Sequence, residues 1–246
     1  MEELNSEDLK KSLPYDKPEN AVFSGPGWEV LGKTLQGRDI SGKLIPASGD
    51  SKGRILLIGG VHGNETEGVR FMEEFTREFG MADSKTNFPF DLYLLPLANP
   101  DGFFAFERQN SNGVDLNRNM PTEDWVAEFE EPRYNPGKAA NSELETKALL
   151  ELLDNFKPDY IISFHSWKPM INTNGPSEKF ASLIAAKLDM PVEGDIGYPT
   201  PGSLGTYAGL ERKIPTITLE FERGILLDTV YPLARDAIVN SFTIFE

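Results

Sequence analysis

Only two histidines occur in the sequence, His62 and His165, and each follows an apolar run: "RILLIGGV" before the first, "DYIISF" before the second. A lone histidine in such a place more often satisfies a hydrogen bond inside a core. Two of them, both at strand ends, suit a shared site, because ligands of open α/β sheets gather at the carboxyl ends of strands. Glu65 lies three residues beyond His62 in "VHGNETEG". A turn or helix starting at Gly63 would project both side chains from one side, with Gly63 letting the backbone bend off the strand. Two imidazoles and a carboxylate form a borderline-soft set suited to zinc, with one position left for water. The competing view of this glycine-rich stretch as a phosphate cradle is weaker. It lacks the Lys-Ser/Thr of a P-loop, and its acidic residues would oppose an anion.

A metal open to water needs a base. In "PTITLEF" the alternation puts Ile217, Leu219 and Phe221 on one strand face and Thr216, Thr218 and Glu220 on the other. A carboxylate leaving such a strand is costly unless it has a partner or a task, so Glu220 is either half of a buried ion pair or the base. The segment "ERQNSNGVDLNRN" adds opposite charge. Its arginines are either ordinary loop residues or working ones: Arg118 gripping a carboxylate through its planar fork, Arg108 facing developing negative charge.

The elements that must position these groups alternate. "WEVLGKTLQGRDISGKLIP" suggests an antiparallel hairpin with Gly-Arg and Ser-Gly turns. "RILLIGGV", "FDLYLLPLAN", "DYIISFHS" and "IPTITLEFE" are strands. "ETEGVRFMEEFTREFG" spaces Val69, Met72, Phe75 and Phe79 as a helix that stops at Gly80. "SELETKALLELLDNF" is a helix whose start resembles a capping box, Ser142 to Glu145, followed by "SEKFASLIAAKLD" and "VYPLARDAIVNSF". Loop-rich sequence runs from Asn99, opening with the turn "NPDG", to about Asn141. The pattern predicts a single α/β domain with a mixed central sheet sandwiched by helices, over 27–246, after a loosely structured lead-in over 1–26.

Composition narrows the function. There are 39 acidic against 24 basic residues, a formal charge of −15, which disfavours nucleic acid as a partner. The absence of cysteine removes thiolate metal sites and a cysteine nucleophile. No stretch approaches the roughly 18 apolar residues of a membrane span, and the polar N-terminus has no apolar run for a signal peptide. The expected setting is cytoplasmic, with no membrane partner; a homodimer is compatible with the sequence.

"HGNE", "NPDG", "NGVDLNRN", "SFHS", "GSLGTY" and "LEF" follow one another in the order seen in the zinc carboxypeptidase superfamily, whose best-known members are like carboxypeptidase A. Within it the chain most resembles the bacterial murein peptide amidases, through "LGKTLQGRDI", "NSNGVDLNRNMP", "NSELETKAL" and "IGYPTPGSLGTY". The resemblance implies a zinc-carboxypeptidase-like fold with one Zn2+ per chain, held by His62, Glu65 and His165, and Glu220 as general base. It also implies Asn117 and Arg118 as the clamp on a substrate carboxylate, Arg108 at the oxyanion, Asp115 orienting the first zinc histidine, and Tyr207 as a mobile tyrosine at the rim. The implied substrate is a small peptide with a free carboxylate, a muropeptide cut between γ-D-Glu and meso-diaminopimelate in cell-wall peptide recycling. Glu222 and Arg223 either meet the distal ammonium and carboxylate of diaminopimelate or form an ordinary surface ion pair. A general metallocarboxypeptidase, a deacylase like aspartoacylase or succinylglutamate desuccinylase, and a non-catalytic binding module are the alternatives.

Overall fold

The hairpin expected early in the chain forms β1 (Trp28–Lys33) and β2 (Asp39–Ile45), antiparallel in the computed structural model, which describes residues 23–80 and 88–245. Most of the expected lead-in, residues 1–22, lies outside the described residues. Phe23, within that expected lead-in, is instead a buried anchor packed with Val69, Leu97 and Phe103.

The apolar runs become β3 (Arg54–Ile58), β4 (Asp91–Leu95), β5 (Tyr160–Trp167) and β8 (Thr216–Glu222), which pair in parallel in the order β4-β3-β5-β8. Two short strands, β6 (Met170–Asn174) and β7 (Val192–Glu193), were not expected from the sequence. They complete an eight-stranded mixed sheet, β1-β2-β4-β3-β5-β8-β6-β7.

The central strands are apolar throughout because both faces are covered. In β3, Ile55 and Leu57 face one core with α1 (Thr66–Phe79), α4 (Glu178–Leu188) and α5 (Leu227–Ser241). Leu56 and Ile58 face a second core with α3 (Leu144–Phe156), Leu204 and Tyr207. The sandwich confirms the expected α/β class.

Local chemistry departs from expectation at two points. "NPDG" is not a free turn but the start of α2 (Pro100–Ala105): Pro100 sits in the first turn, and the Asn99 side chain accepts a hydrogen bond from Gly102 N at 2.9 Å. The capping box at α3 does not form. Ser142 Oγ donates to Glu143 Oε1 at 2.6 Å, and Asn119 Oδ1 accepts from Glu143 N at 3.2 Å, so the preceding loop ties down the helix start.

Candidate active site

Parallel strands deliver their carboxyl ends to one edge of the sheet, and the two histidines arrive there by different routes. His165 is still within β5. His62 lies four residues past Ile58, in a turn closed by Glu65 N donating to His62 O at 3.2 Å, and Glu65 immediately precedes α1 without a side-chain capping bond. Gly63 does not serve as a left-handed hinge: a side chain there would put its Cβ 2.0 Å from the Gly102 carbonyl carbon. Close approach of the α2 backbone is what excludes any side chain at residue 63. Gly63 N also donates to Arg108 O at 3.2 Å, stitching the turn to the loop that carries the arginines.

His62 Nδ1, His165 Nδ1 and the Glu65 carboxylate converge. His62 Nδ1 is 2.9 Å from Glu65 Oε1, His165 Nδ1 is 2.9 Å from Glu65 Oε2, and the two Nδ1 atoms are 3.1 Å apart. All three side chains are buried. Donors each about 2.0–2.1 Å from one zinc ion stand roughly 3 Å apart, so this set fits the metal in element type and spacing. It is the one such cluster among the described residues.

The outer nitrogens are also held. His62 Nε2 is 3.0 Å from Asp115 Oδ1, and His165 Nε2 is 3.1 Å from Ser163 Oγ. Partners of this kind fix ring direction and tautomer. Asp115 is fully buried; burial alone would raise its carboxyl, but Arg108 and His62 hold it well below the usual range. Glu65 is likewise pushed up by burial, and the two histidines more than reverse that. His62 is lowered by burial and by Arg108, yet Glu65 and Asp115 leave it raised on balance.

Glu220 behaves differently. β5 and β8 run in parallel register with His165 opposite Glu220, so the β8 alternation turns this carboxylate toward the triad. Its Oε2 is buried without a hydrogen-bond partner, and burial, the largest influence, pushes its pKa up to about 7. No ion pair accounts for its position among the described contacts.

A cavity of about 490 Å³ opens over these groups, lined in part by Asn117, Arg118, Arg108, Tyr134, Tyr198 and Arg223. Asn117 Oδ1 accepts from Leu204 N at 2.9 Å, and Arg118 Nη1 donates to Asn117 O at 2.7 Å. The Arg118 guanidinium lies 5.1 Å from the centre of the Tyr134 ring. Arg108 is braced by carboxylates, donating through Nε and Nη2 to Asp115 Oδ2 (3.1 and 2.9 Å) and through Nη1 to Glu65 Oε1 (3.2 Å).

Two expected site residues are elsewhere. Tyr207 sits in a π-helical turn (Gly205–Glu211), buried in the second core beneath the Arg212 guanidinium at 3.3 Å, and does not line the cavity. The tyrosines that do are Tyr198, 39% exposed, and Tyr134. Glu222 is exposed and off the cavity wall, whereas Arg223 is on it. Sequence reasoning passed over Tyr134 and Arg133 in "EEPRYNPG", where an Arg-Tyr pair between two prolines in acidic surroundings was an available signal.

A family model described as zinc carboxypeptidase matches residues 28–183. Murein peptide amidase A of Escherichia coli strain K12 is 30% identical over 207 residues, covering 80% of this chain and 81% of the relative. Its namesake from Vibrio campbellii is 27% identical over 231 residues, covering 88% and 87%. The solved structure of a murein-tripeptide amidase from Escherichia coli O157 superimposes with a TM-score of 0.73 at 28% identity, covering 90% of this chain and 92% of that one. Carboxypeptidase A from Helicoverpa armigera shares the fold, with a TM-score of 0.73 at 17% identity over 98% of this chain and 70% of that one.

Proposed function

Because the chain belongs to the zinc carboxypeptidase family, whose members are zinc hydrolases, we propose that it is a murein peptide amidase cutting the bond between γ-D-Glu and meso-diaminopimelate. The observation that carries this reading is the convergence of His62, Glu65 and His165 with Glu220, a half-buried carboxylate whose Oε2 is enclosed without a hydrogen-bond partner and which stands in register with His165. A pure binding module has no use for such a base. The murein peptide amidases are also similar over most of both chains, which favours this substrate over a general peptide.

In this scheme His62, Glu65 and His165 would hold one zinc ion, which when bound would supply a Lewis acid and lower the pKa of a water molecule. Asp115 holds the His62 ring in the ligating orientation. Asn117 and Arg118 grip the free carboxylate of the leaving residue and so set the scissile amide beside Glu220. The Glu220 carboxylate takes the proton of the attacking water and returns it to the departing amine. Arg108, fixed by Asp115 and Glu65, presents its charge to the developing oxyanion. A cytoplasmic place in recycling of cell-wall peptide follows from the same reading; no helix among the described residues is long and apolar enough to cross a membrane.

Mass spectrometry of L-Ala-γ-D-Glu-meso-diaminopimelate incubated with the zinc-loaded protein tests this. The expected products are L-Ala-D-Glu and free diaminopimelate, both lost on adding a chelator. Intact tripeptide alongside release of C-terminal residues from unmodified peptides would instead identify a general carboxypeptidase.

A further inference from the structure

The cavity carries a second cationic position away from the Asn117–Arg118 clamp. Arg223 follows the base by three residues and lines the cavity wall. The turn that presents it is tied down at several points. Arg223 N donates to Trp167 O at 3.2 Å and Ile225 N to Glu222 O at 3.1 Å. Gly224, at φ +83°, donates its N–H to Glu67 Oε1 at 2.6 Å. The other oxygen of Glu67 accepts from Ser166 Oγ at 2.6 Å, beside His165. A buried carboxylate on α1 therefore fixes this turn relative to the ligand-bearing strand. The guanidinium is directed as well: Nη2 donates to the Asn64 carbonyl at 3.2 Å, next to Glu65.

The two arginines have different surroundings within the cavity. Arg118 donates to Asn117 O and lies against Tyr134. Arg223 stands on the turn that follows Glu220 and donates to Asn64 O, next to Glu65. A substrate whose leaving residue is held by Arg118 would leave Arg223 for the other side of the scissile amide. Resting on the amidase reading above, we infer that Arg223 is a specificity-determining residue that binds a free carboxylate on the acyl side of the scissile amide. A γ-linked glutamate carries that group two methylenes and one α-carbon beyond the carbonyl. An ordinary α-peptide has a neutral amide in its main chain instead. Arg223 would thereby select γ-glutamyl amides, and its partner is not the distal carboxylate of diaminopimelate.

The test uses the full-length zinc-loaded protein and three tripeptides: L-Ala-γ-D-Glu-meso-diaminopimelate, its analogue with the glutamate α-carboxylate converted to a carboxamide, and its analogue with L-Lys as the leaving residue. Losing one charge-assisted hydrogen bond of this kind corresponds to about 10- to 100-fold in kcat/KM. The unaltered protein should prefer the parent to the carboxamide by about that factor. Arg223→Gln should lose it on the parent, mainly through KM, and cleave the carboxamide nearly as before, while Arg223→Lys recovers part of the preference. Equal losses on all three substrates would assign Arg223 a structural role and overturn the inference. So would Arg223→Gln abolishing discrimination between the diaminopimelate and lysine substrates while keeping the carboxylate preference. Cleavage of parent and carboxamide at equal rates by the unaltered protein overturns this inference alone. Cleavage of none of the three overturns the amidase reading, and this inference with it.

Discussion

His165 and Glu220 are direct register partners in the parallel pair β5–β8, within an unbroken run from Ile161↔Thr216 to Trp167↔Glu222. A one-residue slip would turn Glu220 to the opposite face, among Phe164 and the α1 side chains, so strand register sets the relation between His165 and Glu220.

Glu220→Gln removes the proton acceptor while keeping shape. Zinc content and tripeptide binding should be retained, and turnover should fall by roughly 10²–10⁴. Metal analysis, calorimetry and single-turnover kinetics check this; near-normal turnover would remove Glu220 from the chemistry.

The same substitution has a stability consequence in the metal-free protein. Glu220 is raised by burial from the carboxylate range to about 7, so its protonated form favours folding. That contribution is complete below the unfolded-state value of about 4.3 and is lost as pH rises through 7. The melting temperatures of Glu220→Gln and the unaltered protein should therefore nearly coincide at pH 4–5. Above pH 8 the variant should be the more stable, by on the order of 3 kcal/mol. A difference that does not change with pH would contradict the burial argument.

Asp115 touches His62 at the nitrogen facing away from the ligand cluster. Asp115→Asn should weaken zinc binding by about 10- to 100-fold in chelator competition without removing a ligand. Unchanged affinity would mean that packing alone orients the His62 ring.

Tyr207 and Tyr198 give a direct contrast. Tyr207→Phe should leave kcat and KM close to normal, because that ring is core. Tyr198→Ala should raise KM for the tripeptide several-fold, because its ring lines the cavity. The reverse pattern would restore Tyr207 to the site.

That contrast marks where the sequence stops being legible. The clustering of His62, Glu65 and His165 could be read because scarce residue types stood at the ends of strongly apolar strands, and the strand face of Glu220 because a period-two alternation assigns faces without tertiary information. Which tyrosine of "IGYPTPGSLGTY" meets the cavity depends on the π-helical turn that rotates Tyr207 inward, and no periodicity announces it. β6 escaped notice because "MINTN" is short and mostly polar; its antiparallel pairing with β8, not its composition, makes it a strand. The capping box at Ser142 failed for a related reason: Asn119, distant in sequence, bonds the Glu143 N–H at the helix start. Gly63 was recognised as necessary for the wrong cause, since the α2 backbone that crowds it belongs to another segment.

Diffraction data collected on and below the zinc absorption edge, from crystals of the zinc-saturated, active protein, would locate the metal. One anomalous peak should lie within bonding distance, about 2.0–2.2 Å, of His62 Nδ1, His165 Nδ1 and a Glu65 oxygen. A peak bound elsewhere, with these three side chains still bonded only to one another, would rule out His62, Glu65 and His165 as the zinc ligands.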